Sequence, residues 1–451
     1  MNSMKPRNIN LALLAGLGLL AANQSQVQAQ SADALIDKLV EKGILNTREA
    51  QELRDESDKG FATAHAVKTG MPDWVSSLKM NGDFRGRFDG TYADNVTSVD
   101  RNRFRYRLRF GVTANIVDDF EVGFRLGSGD LDGAAAALGS GVDPISQNQS
   151  FQNNGSKKGI FLDLAYGKWS PLHTPDWNGS FSFGKIENPF VASDLVFDND
   201  YTPEGGAIAL SYNLSPKHQI KWNTGGFVLD EIGGNSQDPY MMGTQLRLDS
   251  VWNPEISSSV GITAMTIAGE RNLKNTDVPN INRGNTRDAN GALLNAYNPI
   301  YADASVTYMR VSFPMYVGPF PIKFSGEYLV NPAAHLDNDG YSGGVMFGKS
   351  GRKGLWDVSY TYKVLGADAW YEEFADSDTG AFYQAAYPNS GAGAGYGPGT
   401  NLRGHTVKFA YSPYDSLTLS AKWFMIEANN ETPAGSNSMN HRLQLDAVWK
   451  F

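Results

Sequence analysis

Cysteine is absent from the 451-residue sequence, so no disulfide framework holds it and the fold must rest on hydrogen bonding and packing. Charge is scarce as well: 19% of residues are charged, with a formal net charge of -9. An acidic chain is a poor general polyanion ligand, which argues against nucleic acid as a partner. The six histidines are scattered without metal-ligand spacing, and no serine nucleophile motif accompanies them. Neither catalysis nor a cofactor or metal is expected. "DNDG" (337–340) and "DSDTG" (376–380) lack the closing glutamate of a calcium loop and read as Asx turns. The glycine-rich "SGAGAGYGPGT" (390–400) has no lysine to cradle phosphate. Beyond the N-terminus there is no run of about 20 apolar residues, which excludes helical membrane spans.

Aromatics, at 12%, and 48 glycines are plentiful, a balance that suits an all-β protein. The N-terminus reads as an export signal over residues 1–29. Lys5 and Arg7 precede an apolar stretch from Leu11 to Ala22, and Val27-Gln28-Ala29 offers a small-x-Ala cleavage site. Residues 30–58 form the one helical segment, with Leu35, Ile36, Leu39 and Val40 at helical spacing and Gly43 as a stop. Asn46 and Glu49 form a capping box for a second short helix, which makes the segment a small amphipathic hairpin. A cell-wall contact, a coiled coil or a gate are its functional alternatives. Residues 59–73 read as a linker.

From residue 74 to 451 the apolar period is two. In "SLKMNGDFRGRFDG" Leu78, Met80, Phe84 and Phe88 share one face, and Asn81, Asp83, Arg85, Arg87 and Asp89 share the other. About 16 such segments follow one another, and short connections (117–119, 214–218, 253–255, 350–354, 412–415) alternate with long ones (91–100, 129–158, 186–205, 270–303, 365–402). Export, alternating connections and a last strand with Leu443, Leu445, Ala447, Trp449 and Phe451 on one face together favour a transmembrane antiparallel β-barrel over a soluble sandwich or propeller. The terminal aromatics Trp449 and Phe451 are similar to the C-terminal assembly signal by which outer-membrane barrels engage their assembly machinery.

"RNRFRYRLRF" (101–110) places Arg101, Arg103, Arg105, Arg107 and Arg109 on one face of a single strand. Alternate side chains lie about 6.8 Å apart, so five of them cover roughly 27 Å, close to the ~25 Å apolar band of a barrel. Facing lipid, each would cost ~2–4 kcal/mol at mid-depth, so the row must face a watery lumen. Arg85 and Arg87 on the strand before and Arg125 on the strand after extend it to a basic wall.

Segments between about 75 and 215 resemble the Gram-negative outer-membrane family described as putative porins. They include "LKMNGDFRGRF" (78–88), "DRNRFRYRLRFGVTANI" (100–116), "DDFEVGFRLGSGD" (118–130), "GKIENPF" (184–190) and "DLVFDNDYTPEGGAIAL" (194–210). "ALIDKLVEKGILNTREAQELRDE" (34–56) is similar to that family's helical preface. The resemblance covers about half the chain and implies an outer-membrane channel in contact with lipid, passing small hydrophilic solutes or ions, with homotrimers expected. In 16-stranded porins the third long loop folds into the lumen. Here that loop is 186–205, with Glu187, Asp194, Asp198, Asp200 and Glu204 as constriction acids to face the basic wall. The alternative readings are a sheath barrel around an electron-transfer partner, which needs a wide lumen, and a loop-based adhesin.

Overall fold

Period-two alternation allows one sheet to present an apolar face to one solvent and a polar face to another, and closing that sheet removes both edges. The computed structural model of the chain describes residues 72–93, 100–130, 145–234, 236–280, 283–379, 399–430 and 439–451. The expected export signal, the helical segment and all but the end of the linker lie outside the described residues, as does most of the glycine-rich stretch.

The strands are β1 (Val75–Ala93), β2 (Arg101–Ile116), β3 (Phe120–Gly129), β4 (Gln149–Ser150), β5 (Gly159–His173), β6 (Trp177–Lys185), β7 (Glu204–Ser215), β8 (His218–Val228) and β9 (Tyr240–Val251). They continue as β10 (Ile256–Ala268), β11 (Ile300–Arg310), β12 (Phe320–Val330), β13 (Asp339–Gly348), β14 (Trp356–Leu365), β15 (Leu402–Tyr414), β16 (Leu417–Ala428) and β17 (Asn440–Lys450). Setting aside the two-residue β4, which pairs with β2 at Arg105 and Tyr106, sixteen long antiparallel strands form the barrel. Closure is made by β1, which pairs with β2 on one side and with β17 on the other, from Asp83↔Lys450 to Ala93↔Asn440. Gly82 and Phe451 exchange both backbone hydrogen bonds, at 2.8 and 3.1 Å.

The described residues fall into two units. The smaller includes 72–78 and 114–117, where Val117 N donates to Trp74 O at 3.0 Å and Asn115 Nδ2 to Ser77 Oγ at 2.7 Å. The larger, Lys79–Thr113 with Asp118–Phe451, holds the barrel.

Its outer face is apolar: Phe104, Leu108, Val122, Phe183, Val260 and Phe324 are all exposed. Trp169, Trp177, Trp252 and Trp449 stand exposed near strand ends, as an aromatic girdle at a membrane interface requires. Tight turns join strands at one end, and at Asp118 and Asp119 both residues have positive φ (61° and 64°), the backbone of a two-residue hairpin turn. The connections at the other end are long, and three of them turn inward. Residues 186–203, 269–280 with 283–299, and 366–379 place Phe190, Phe197, Leu273, Tyr297, Trp370 and Phe374 in one cluster with wall residues such as Phe227, Met241, Tyr301 and Phe424. The hydrophobic core of this protein therefore sits inside its barrel. Arg287 and Glu372, both fully buried, weld the second of these loops to the third; the Arg287 Nε donates to Glu372 Oε1 at 3.0 Å.

Gly184 and Gly205 face each other across β6 and β7, at the root of the 186–203 loop, with φ of 121° and 157°. A Cβ at Gly205 would overlap the Gly226 carbonyl oxygen, and one at Gly184 would overlap the Ala165 carbonyl oxygen. The pair allows neighbouring backbones to close in where the loop turns inward. Gly205→Ala should cost about 1–3 kcal/mol and lower the temperature at which the barrel loses its compact gel mobility in detergent. An unchanged transition would show that this backbone has room to relax.

Candidate functional site

Alternation on β2 separates its two faces sharply: Phe104 is 61% exposed, whereas Arg105 and Arg107 are 8% and 7% exposed. A guanidinium this deep needs anionic partners. Arg103 Nη2 donates to Asp89 Oδ2 at 2.7 Å, and Arg105 lies 3.5 Å from the same carboxylate. Arg107 donates to Asp83 (2.9 Å) and Asp200 (2.9 Å), while Arg109 donates to the same two residues at 2.7 and 3.2 Å. On β1, Arg87 makes a two-pronged contact with Asp446 of β17 at 2.7 and 2.8 Å, with Asp378 at 3.3 Å. Arg85 donates instead to the Asn148 amide oxygen, at 2.7 Å. Arg125 bonds Asp163 of β5 and Glu187 of the loop, the latter at 2.6 Å. Arg101 stands exposed at the start of β2.

The five loop acids divide among different partners. Asp200 joins Arg107 and Arg109, and Glu187 joins Arg125. Glu204 sits at the loop root against Lys185 of β6, at 3.2 Å. Asp194 lies 3.7 Å from Lys363 of β14. Asp198 meets no arginine: it accepts hydrogen bonds from Ser377 N (3.0 Å), Ser377 Oγ (3.1 Å) and Asp200 N (2.8 Å). Wall residues fix the loop elsewhere: Gln245 of β9 exchanges two hydrogen bonds with the Val191 backbone at 2.9 and 2.8 Å, and Ser193 Oγ donates to Glu327 of β12 at 2.6 Å. A loop anchored to β2, β3, β9, β12 and β14 has to cross the barrel interior.

Sequence reasoning missed the second partner of the basic wall. Asp378, in the 366–379 loop, lies within 3.3 Å of both Arg87 and Arg442, and Arg442 of β17 also binds Asp89 at 2.7 and 3.0 Å. "DSDTG" does form the expected Asx turn, Asp378 N donating to Asp376 Oδ1 at 2.9 Å, yet that turn delivers a carboxylate to two arginines. Asp83 and Asp89 were legible on the inward face of their strand. Arg442, one strand from the end of the chain, carried no signal beyond its place in an alternating segment. The two loops are held together by Trp370 Nε1 donating to Val196 O (2.9 Å) and Asp198 N donating to Phe374 O (2.8 Å).

Burial, with the negative charges of Asp376, Asp200 and Asp378 close by, pushes the Asp198 carboxyl up to about 8. A carboxyl that holds its proton more tightly when folded adds stability in full below its unfolded range near pH 4. That contribution is lost as pH rises to about 8. The wild-type melting temperature in detergent should therefore fall between pH 4 and 8, and Asp198→Asn should flatten that slope. Parallel slopes for the two proteins would remove Asp198 as the group responsible.

The family described as Putative porin matches residues 92–290. No curated protein matches the chain. Among solved structures, OprB of Pseudomonas putida, in a high-pH structure, is 11% identical, with 86% of this chain and 97% of that chain covered and a TM-score of 0.51. Salmonella typhi OmpF, in a complex with daunomycin, is 9% identical at a TM-score of 0.44, covering 83% of this chain and 97% of that chain. A Rhodopseudomonas blastica porin triple mutant is 10% identical at a TM-score of 0.39, covering 83% of this chain and all of that chain. The OprB match extends the porin barrel fold well beyond the family segment. Over residues 92–290 the chain is thus similar to the Putative porin family, and its sixteen-stranded barrel has the fold seen in porins.

Proposed function

We propose that this barrel passes small hydrophilic solutes or ions by diffusion, and that its narrow zone is formed where the arginine wall of β1–β3 meets the acidic 186–203 loop. The observation that carries the reading is Asp200, which reaches Arg107 and Arg109 at 2.9 and 3.2 Å from a loop anchored on the far strands β9 and β12. Opposed charges across a narrow passage set up a transverse field that orients polar solutes and slows apolar ones. In this orientation the tight turns face the periplasm and the long connections face outward. The 1–29 segment acts as the export signal, Trp449 and Phe451 engage the barrel assembly machinery, and the barrel works as a homotrimer in lipid.

The wall is strong but largely compensated. Asp83, Asp89, Asp163, Asp200, Asp378, Asp446 and Glu187 each touch at least one of its arginines. Selectivity therefore leans toward anions only by the margin that these carboxylates leave. The loop core also weakens the sheath alternative, because the aromatic cluster occupies space that an enclosed partner would need.

Purified protein in planar bilayers should give discrete conductance steps, and a salt gradient should give a reversal potential of mild anion preference. Replacing Arg103, Arg105 and Arg107 with glutamine should move that potential toward cations, since three positive charges go while Asp83 and Asp200 keep only Arg109 and Asp89 keeps only Arg442. A bilayer without steps would sink the channel reading; steps with an unmoved potential would take these arginines out of the narrow zone.

A further inference from the structure

Away from the arginine wall, β10, β11 and β12 carry a polar surface that the contacts above do not use. Arg247 on β9 shows which side of these strands is inward, since its guanidinium reaches Val191 O of the inserted loop (3.3 Å), Asp303 (2.7 Å) and Ser259 (2.9 Å). Ser259 is in register with Ser305, and alternation then puts Ser257, Thr307 and Lys323 on the same inward face. Their neighbours Val260, Val306 and Phe324 are exposed on the outer face.

Ser257, Thr307 and Lys323 are direct cross-strand partners in one row. At about 4.8 Å between strands, two hydroxyls and an ammonium fall within roughly 10 Å of one another. With Ser305 they line a cavity of about 500 Å3 beside the β7–β8 turn. The carboxylate in that cavity, Asp249, is already engaged by Lys221 at 2.7 Å and by Ser259 Oγ at 2.6 Å. Among the described residues, the side chains of Ser257, Ser305, Thr307 and Lys323 have no hydrogen-bond partner. Lys323 and these three hydroxyls thus face a cavity that Lys217 of the β7–β8 turn also lines and whose one acidic lining residue, Asp249, is neutralised. That set lacks a negative counter-charge, and a small oxyanion supplies one together with several acceptor oxygens and a size that spans neighbouring strands.

We propose that this row is a subsite for small oxyanions at the turn end of the lumen, where a solute that has passed the arginine wall is held before release. The inference rests on the channel reading above. Lys323 supplies charge and one donor, while Ser257, Ser305 and Thr307 supply directional donors. A neutral polyol would gain far less from Lys323, so the lysine makes the site selective for anions.

The test uses the full chain in planar bilayers bathed in potassium chloride, with inorganic phosphate added from the turn end. Phosphate should reduce the chloride current, and the half-blocking concentration should rise about tenfold in Lys323→Gln, the loss of one charge-assisted contact. It should rise several-fold in Thr307→Val and stay unchanged in Lys157→Gln, an exposed lysine in the connection before β5. Compact mobility on unheated gels verifies folding, and Thr307→Val decides the matter if Lys323→Gln does not fold. Block that is absent, that is insensitive to both substitutions, or that is abolished by Arg107→Gln alone overturns the subsite and leaves the channel standing. Absence of chloride current in the unaltered protein overturns the channel reading itself.

Discussion

Buried arginines must be paired, and that requirement organises the interior of this barrel. A guanidinium withdrawn from bulk water loses more in hydration than one carboxylate at a distance restores, so each must have close acceptors. Inward positions on β2 repeat every second residue, and a row of arginines there creates a row of demands. The neighbouring strand answers part of them, with Asp89 serving Arg103 and Arg105 and Asp83 serving Arg107 and Arg109. The rest is answered by chain that has to leave the wall and enter the lumen: Asp200, Glu187 and Asp378 come from loops. Charge pairing thus determines where the inserted loops end up.

Packing then makes that placement rigid. Ionic contacts alone would leave a loop free to slide among several arginines, because Coulomb attraction has little directional preference. Phe197, Trp370, Phe374 and Tyr201 stack against one another between the 186–203 and 366–379 loops, with ring centroids 4.8 to 5.9 Å apart. The enclosed Arg287–Glu372 pair extends the same block to the 269–299 loop. Apolar burial supplies most of the stabilisation and the charge pairs supply the register, which is the usual division of work between non-directional and directional forces.

Alternation and connection length were enough to read the barrel from the sequence, because both are local quantities. The sixteen expected strand segments each overlap a strand, and among the described residues the structure adds only the two-residue β4. Partner choice was harder to read. That Asp200 would meet the wall follows from charge and loop position, but Asp198 and Asp194 have the same chemistry and go elsewhere, to Ser377 and Lys363. Their destinations depend on how the 366–379 loop folds, and that loop gave no sign of turning inward beyond its aromatics, Trp370, Tyr371 and Phe374. A dense apolar run in a supposedly solvated loop is such a sign, since water offers it nothing to pack against. The Asx turn of "DSDTG" is legible as a turn, whereas the delivery of Asp378 to Arg87 and Arg442 depends on the fold of the whole loop.

The same pairing logic separates structural from functional charge. Arg87 and Arg442 are each held by two carboxylates and buried, so their first effect is to fix β1, β17 and the Asp378 loop. Beyond the exposed Arg101, Arg85 is the wall arginine that meets an amide oxygen where Arg87, Arg103, Arg105, Arg107, Arg109 and Arg125 each have a carboxylate within 3.5 Å. Asn148 reaches Arg85 from the short segment around β4, which also contacts Arg105 through the Asn148 carbonyl at 3.3 Å. A passing anion gains most where a cation has donors but no counter-ion of its own, because it need not displace a carboxylate already in place. On the proposed channel reading, that criterion gives the densely paired Arg107–Asp83–Asp200–Arg109 group the part of a fixed dipolar wall and the Arg85 region the part of the attracting charge.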